Sequence, residues 1–346
     1  MTPNYRVKEP IIPRNPPIYH CKRALLPFGK ATGNLDRAFW ANAETITEFK
    51  DIEGDTRPRP WKQTSVKLLW DDEALYIGAY LEEDEIWATV RNRDELIYID
   101  NDFEVFLAPQ TSSHRYYELE MNAMNTVWDL LMEKPQRDRV RRIIGWDIHG
   151  LDSAVKLDGE LNNPEADNRG WGVELKLPWF SLRECGLDLC YPTHWAPDVG
   201  EIWRMNFSRV TWNVDKRNGA YVKRRGADGN PLPENNWVWA PTGVIDIHMP
   251  EMWGYLLFTE TGEDYPLPKE DEAKWLLRRV YYREHLYSRS HDCFTNDLTA
   301  LFGEAAKTMP VQVYTTPSMF EAITEFGGTL WHIRQDGYVW QESDES

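Results

Sequence analysis

The chain has 346 residues and carries 39 Lys and Arg against 56 Asp and Glu, a formal charge of −17. That length can bury a substantial core in one large domain or two ordinary ones. The acidic balance argues against nucleic acid and anionic membrane surfaces as partners, and it suits neutral ligands and bound cations.

Residues 10–17, "PIIPRNPP", read as a Pro-rich segment running extended over the surface, within a lead-in spanning 1–29. From there to about residue 262 the pattern is mainly β. "TSVKLLW" (64–70) and "ALYIGAYLEE" (74–83) flank the acidic turn "DDE" as a hairpin. In "YIDNDFEVFLAP" (98–109), Asp100, Asp102 and Glu104 alternate with Asn101, Phe103 and Val105. On a strand this makes one apolar face and one face with carboxylates spaced roughly 6.6–6.8 Å apart. "RYYELEMNAMNTVWDLLM" (115–132) reads as a long strand or a strand pair, with Tyr117, Leu119 and Met121 set against Glu118, Glu120 and Asn122. "GWGVELKLPW" (170–179), "EIWRMNFSRVTW" (201–212) and "WGYLLFTE" (253–260) complete the set. Many strands separated by turns, with little helix, predict an antiparallel β-sandwich over 30–262.

From about 269 the period changes. Trp275, Leu276, Val280, Leu286 and Tyr287 fall on a helical stripe, with acids at its start and bases in its later turns. A short second helix is expected at 295–307, then a strand at 311–316 and a terminal hairpin turning at Asp336-Gly337. Residues 263–346 are therefore expected as a helical C-terminal extension packed on the sandwich.

Cys21, Cys185, Cys190 and Cys293 lack metal-ligand spacing. They read as buried or idle thiols, with a Cys185–Cys190 bridge as the alternative. The eight histidines are scattered, and His149 and His248 read as structural groups. No run approaches the length of a membrane span, and "MTPNYRVKEP" has no apolar signal core. The expectation is a cytoplasmic protein as written, or a secreted one if this is a mature form with a new Met1.

Seventeen Trp and sixteen Tyr raise the odds that some ring faces line a ligand surface. Several segments carry a resemblance: "NLDRAFW" (34–40), "TSVKLLWDDEALYIGAY" (64–80), "DNDFEVFLAP" (100–109), "YYELEMNAMNTVWD" (116–129), "GWGVELKLPWFSL" (170–182), "WRMNFSRV" (203–210) and "HMPEMWGYLLF" (248–258). In that order they resemble the family 9 carbohydrate-binding module, and in particular stand-alone bacterial family 9-like proteins with a helical tail. The resemblance implies a β-sandwich, sugar recognition without catalysis, and structural calcium. It also implies a sugar clamped between two ring positions and hydrogen-bonded by polar neighbours. The first ring position falls at Tyr98 and the acid of the strand at Glu104. The second ring position falls at Ile247, which cannot stack, and Glu120 stands where a base is expected.

The carbohydrate-binding residues expected are Tyr98, Glu104, Trp128, Arg209, Trp212 and Trp237. The rings would stack on sugar faces, and Glu104 and Arg209 would bond hydroxyls. Asp100 and Asp102 are the expected oxygen ligands of a calcium ion. The alternative is a glycan hydrolase or lyase pairing Glu104 with Glu118, Glu120, Asp129 or Glu174 across a cleft. The two readings predict a shallow aromatic platform and a deep pocket with convergent acids, respectively.

Overall fold

A computed structural model of the chain describes residues 6–109, 112–139, 142–143, 145–186 and 194–342. Cys190 lies outside the described residues. Among the described residues, ten strands of six or more residues lie on one continuous curled path. In chain order they are β1 (Ile18–Arg23), β2 (Thr64–Trp70), β3 (Ala74–Glu82), β4 (Asp102–Ala108), β5 (Tyr116–Asn122), β6 (Val127–Met132), β7 (Asp152–Asp158), β8 (Gly170–Pro178), β9 (Ile202–Thr211) and β11 (Gly254–Thr259), with β10 (Asn235–Val238) pairing on β9 beside the path. The order across the sheet is β7-β8-β3-β2-β1-β11-β9-β4-β5-β6. Neighbours run antiparallel except β1, which lies parallel to both β2 and β11 and joins the two halves.

Local chemistry explains several of these elements. The β2–β3 turn closes on Asp71, whose Oδ1 accepts the N–H of Glu73 at 2.8 Å and of Ala74 at 3.1 Å. The stretch 115–132 is a strand pair. It breaks at Asn125, whose φ of +60° is a left-handed turn conformation that Asn tolerates better than most residues. Strand alternation then sorts side chains between two faces. Leu68, Ile77 and Val173 from one half meet Val105, Leu119 and Met205 from the other in the main buried core.

The C-terminal segment has its own layer. The helix Asp271–His291 begins with Asp271 and Glu272 and ends with Arg289 and His291, matching its dipole. It packs Leu277, Val280 and Tyr281 on a four-stranded antiparallel sheet of β12 (Val311–Thr315), β13 (Phe320–Phe326), β14 (Thr329–Arg334) and β15 (Val339–Gln341). The sequence reading predicts the first of these strands and the hairpin, and β13 joins them into a sheet. Met249 and Met252, from the loop before β11, are buried in the same cluster. Among the described residues, no helix is long and apolar enough to cross a membrane.

Candidate functional site

The β4 residues that point away from the main core are Asp102, Glu104 and Phe106, and they share that face with alternate residues of the neighbouring strands. In register, Glu104 lies opposite Ser208 on β9 and Glu120 on β5, and Glu120 lies opposite Trp128 on β6. One row across four strands therefore reads Ser208, Glu104, Glu120, Trp128. In the next row Phe106 faces Glu118, which faces Leu130. Tyr116, Trp128, Leu130 and Trp253 form a separate apolar cluster on this side of the sheet.

Over the row lies a hollow of about 550 Å³, within the range of small-ligand sites. Glu104, Glu118, Glu120, Trp128 and Ser208 form its floor, and Tyr98, Arg6, Lys8, Arg142 and the segment 245–248 border it. Tyr98 stands on a short 3-10 turn, 97–99, and the residue is 41 % exposed. Its backbone N–H donates to Glu120 Oε2 at 3.1 Å, which ties the rim to the floor. Ile247 also lines the hollow.

The electrostatics of this floor are unusual. Asp102, Glu104, Glu118 and Glu120 are all buried, and none is ion-paired with a Lys or Arg among the described residues. Burial pushes Glu104 up to about 7, with its bond to Ser208 opposing and Glu234 adding to the rise. Burial, then repulsion from Glu104, pushes Glu118 up to about 8, with Glu120 and Arg142 opposing. Asp102 and Glu120 are also driven well above the ordinary carboxylate range, first by burial and next by Glu104. Asp102 Oδ1 accepts the Val210 N–H at 3.0 Å, while Asp102 Oδ2, Glu118 Oε2 and the Trp128 indole N–H have no hydrogen-bond partner among the described residues.

The residues expected from the sequence divide into two groups. Tyr98, Glu104 and Trp128 come together in the hollow. Arg209, Trp212 and Trp237 lie elsewhere. Arg209 points to the opposite face of β9, where it donates to Glu83 Oε2 at 3.0 Å and to the Glu82 carbonyl at 2.6 Å. Trp237 is buried beneath Trp61, with ring centroids 4.6 Å apart. Trp212 donates its indole N–H to the Tyr98 carbonyl at 3.0 Å, and Lys223 Nζ covers its ring at 3.2 Å from the centroid.

The expected metal pair also separates. Asp100 accepts from Thr89 N–H and Oγ1–H at 2.7 Å each, Val90 N–H at 2.8 Å and Asn122 Nδ2–H at 3.1 Å, so local donors use its oxygens. Asp102 belongs instead with Glu104 and Glu120, whose oxygens lie within 4.8 Å of its own. Of the acids considered as partners for Glu104, Glu118 and Glu120 lie beside it. Asp129 is held by Arg93 and the Ile148 N–H. Glu174 is surrounded by Thr32, Gly33, Arg37 and Trp40.

Sequence reasoning missed Ser208, Arg142, Arg6 and Lys8. The parity of β9 was a usable signal for Ser208, since alternation puts Ser208 and Arg209 on opposite faces. Arg6 and Lys8 reach the hollow only through the tertiary path of the N-terminal segment.

Residues 32–191 match the family model described as carbohydrate family 9 binding domain-like. No curated protein sequence matches the chain. Among solved structures, a candidate carbohydrate-binding protein of Bacteroides uniformis is 15 % identical with a TM-score of 0.50, and the match covers 70 % of this chain and all of that one. A family 9 carbohydrate-binding module of Caldicellulosiruptor kristjanssonii in complex with cellotriose is 14 % identical with a TM-score of 0.42, over 72 % of this chain and 98 % of that one. The same module in complex with glucose matches at 14 % identity and a TM-score of 0.42, over 72 % of this chain and 100 % of that one. In residues 32–191 this chain carries the sequence pattern of the carbohydrate family 9 binding domain-like family, and it has the β-sandwich fold of such proteins.

Proposed function

We propose that the chain binds a carbohydrate without chemical turnover, in the hollow over β4, β5, β6 and β9. The observation that carries this reading is the grouping of an exposed Tyr98 ring at the rim with Glu104 and the Trp128 indole N–H on the floor. An aromatic face covers the apolar C–H side of a pyranose, and buried polar groups with open hydrogen-bonding positions select hydroxyls. The family match supports the ligand class.

Ile247 in place of a second ring leaves one stacking surface, so the mouth of the site is apolar on one wall and aromatic on the other. A single ring with a polar floor favours a sugar end or a short oligosaccharide bound at modest affinity, because much of the contact is wet and shallow. Glu104, Glu118 and Glu120 stand on one sheet face as neighbours. They do not oppose one another across a cleft, which favours binding over hydrolysis.

The test is calorimetric titration of the full chain with mono- and oligosaccharides, with each incubation checked by chromatography for products. Binding of intact sugar that Tyr98→Ala abolishes is the expected result. Product formation lost in Glu104→Gln would replace this reading with an enzymatic one.

A further inference from the structure

A second cavity, of about 1110 Å³, lies where the C-terminal layer meets the sandwich. Arg14, Lys134 and Arg204 reach it from the N-terminal segment and the sandwich. From the other side come Lys274, Trp275 and Arg278 of the long helix, with Trp331 and Arg334 of β14 and Trp340 of β15. The cavity is made only when the two layers are together.

Its charge runs against that of the chain. In a molecule of formal charge −17, seven of the described side chains lining the cavity are Arg or Lys and three are Asp or Glu. Two of those carboxylates are already answered by buried arginines: Arg204 pairs with Asp271, and Arg137 pairs with Glu251 at 2.7 Å. Arg14 meets the same Asp271 at 3.2 Å and Lys274 meets it at 3.6 Å, with Glu270 3.9 Å away. Arg278 stands 4.0 Å from Glu251, and Lys134 and Arg334 share Asp336. Positive charge is in excess here, and low-dielectric walls concentrate its field. Arg278 is only 3 % exposed, and its Nη1 has no hydrogen-bond partner among the described residues. A buried guanidinium N–H without an acceptor is costly, and an oxyanion supplies one.

The walls are also aromatic. Trp275, Trp331 and Trp340 are each half-buried. Lys274 Nζ lies 4.8 Å from the centre of the Trp331 ring, and the Arg14 guanidinium lies 5.9 Å from that of Trp275. The Trp340 and Tyr338 rings are 5.8 Å apart and 18° from parallel. Ring faces cover the apolar C–H side of a sugar, and cations set beside them take an anionic group that the sugar carries.

We infer that this cavity is a second binding site, for a carbohydrate bearing an oxyanion, either a uronate or a sulfate. The oxyanion follows from the cavity's own charge. That a sugar carries it rests on the proposed function. The volume is at the upper end of small-ligand sites and has room for more than one sugar ring. The acidic floor of the hollow disfavours such a ligand, so the two sites sort neutral sugars from acidic ones.

The test is calorimetric titration of the full chain with glucose, glucuronate, oligogalacturonate, glucose 6-sulfate and inorganic sulfate, at low and high NaCl. Uronates or the sulfated sugar should bind more tightly than inorganic sulfate and weaken as salt is added; which of them binds identifies the oxyanion. Lys274→Gln should weaken that binding about tenfold, the size of one hydrogen bond to a charged group. Arg334→Gln, at an exposed side chain, should weaken it by a smaller factor. Tyr98→Ala, in the hollow, should leave it unchanged.

Anionic-sugar binding that survives Lys274→Gln and Arg334→Gln combined, or that Tyr98→Ala abolishes, overturns the inference. So does a chain that binds none of the anionic sugars. Inorganic sulfate held as tightly as the sugars overturns the assignment of a sugar to this cavity. Anionic sugar bound through Lys274, with no neutral sugar bound in the panel, removes the hollow from the proposed function and leaves this site. Neutral sugar bound through Tyr98, with no anionic sugar bound, does the reverse.

Discussion

Two buried networks of charge lie on the same face of the sheet, where β9 carries both Arg204 and Ser208, and they are built on opposite plans. Where the C-terminal helix meets the sheet, Asp271 Oδ2 takes donors from Arg14, Arg204 and Tyr255, and Arg137 donates to Glu251 at 2.7 and 3.0 Å. Burial pushes Glu251 up, yet Arg137, Arg278 and the Tyr282 hydroxyl hold it down to about 2. On the floor of the hollow, four acids gather with no guanidinium or ammonium paired to them among the described residues. The first network is complete within the chain and works as an attachment. The second has cations only at its border and no ion pair on its floor among the described residues, which suits a ligand site better than a structural attachment.

The difference can be broken from either side. The largest effect is expected at the balanced network. Asp271→Ala leaves Arg204 buried without its anion and should cost about 3–5 kcal/mol in urea unfolding. Replacing Arg204 with Met and Asp271 with Leu together should recover most of that loss, because no charge is then stranded. A full loss persisting in the double variant would show that the network specifies the docking geometry as well as stabilising it.

Acid should loosen the same attachment. His114 Nε2 meets the Asp336 carbonyl at 2.9 Å and His285 Nε2 the Gln335 carbonyl at 2.7 Å, both at the turn of the terminal hairpin. Burial foremost depresses each to about 4, opposed by those carbonyls and assisted by nearby Arg278. The unfolded chain takes up protons near pH 6.5 that the native rings refuse, so this stability is complete above pH 6.5 and lost as pH falls toward 4. The slope is about 1.4 kcal/mol per pH unit for each histidine. Urea midpoints at pH 7 and pH 5 measure it, and His114→Gln should flatten the profile.

At the unbalanced network the sign reverses. Glu118→Gln, measured with EDTA present, should raise stability by about 1 kcal/mol by removing a like charge beside Glu104. A destabilised variant would mean that Glu118 is already satisfied in solution. The smallest stability change belongs to Tyr98→Ala. It should stay within about 0.5 kcal/mol of the parent, as surface changes do, while sugar affinity falls at least about tenfold, or 1.4 kcal/mol.

Much of the fold was legible because strand alternation is a local signal. The hairpin 64–83, the strands through 102–108, 170–178, 202–211 and 254–259, and the long helix all follow from residue periodicity. Strand β1 was hidden. Its "IYHCKR" pairs on both edges in the parallel sense and shows no clean alternation of apolar and polar residues. The site was partly legible. The acid stripes of β4 and β5 each show in the sequence, but only register sets Glu104 against Glu120. Arg209, Trp212 and Trp237 carry suitable chemistry, and their surroundings follow from tertiary packing: Arg209 toward Glu83, Trp237 beneath Trp61, Trp212 under Lys223.

The parallel position of β1 bears on how the molecule is made. Ile18 pairs with Tyr255, so one of the first strands synthesised waits for one of the last strands of the sandwich before the two halves can be joined. Pairings of such high contact order form slowly. As the chain emerges from the ribosome, the β2–β3 hairpin and the β4–β5–β6 meander can form early as separate pieces, but the sheet closes only after residue 259 is available. The half-assembled sheet then exposes the edges of β2 and β9, which gives aggregation its opening during synthesis rather than in the finished protein.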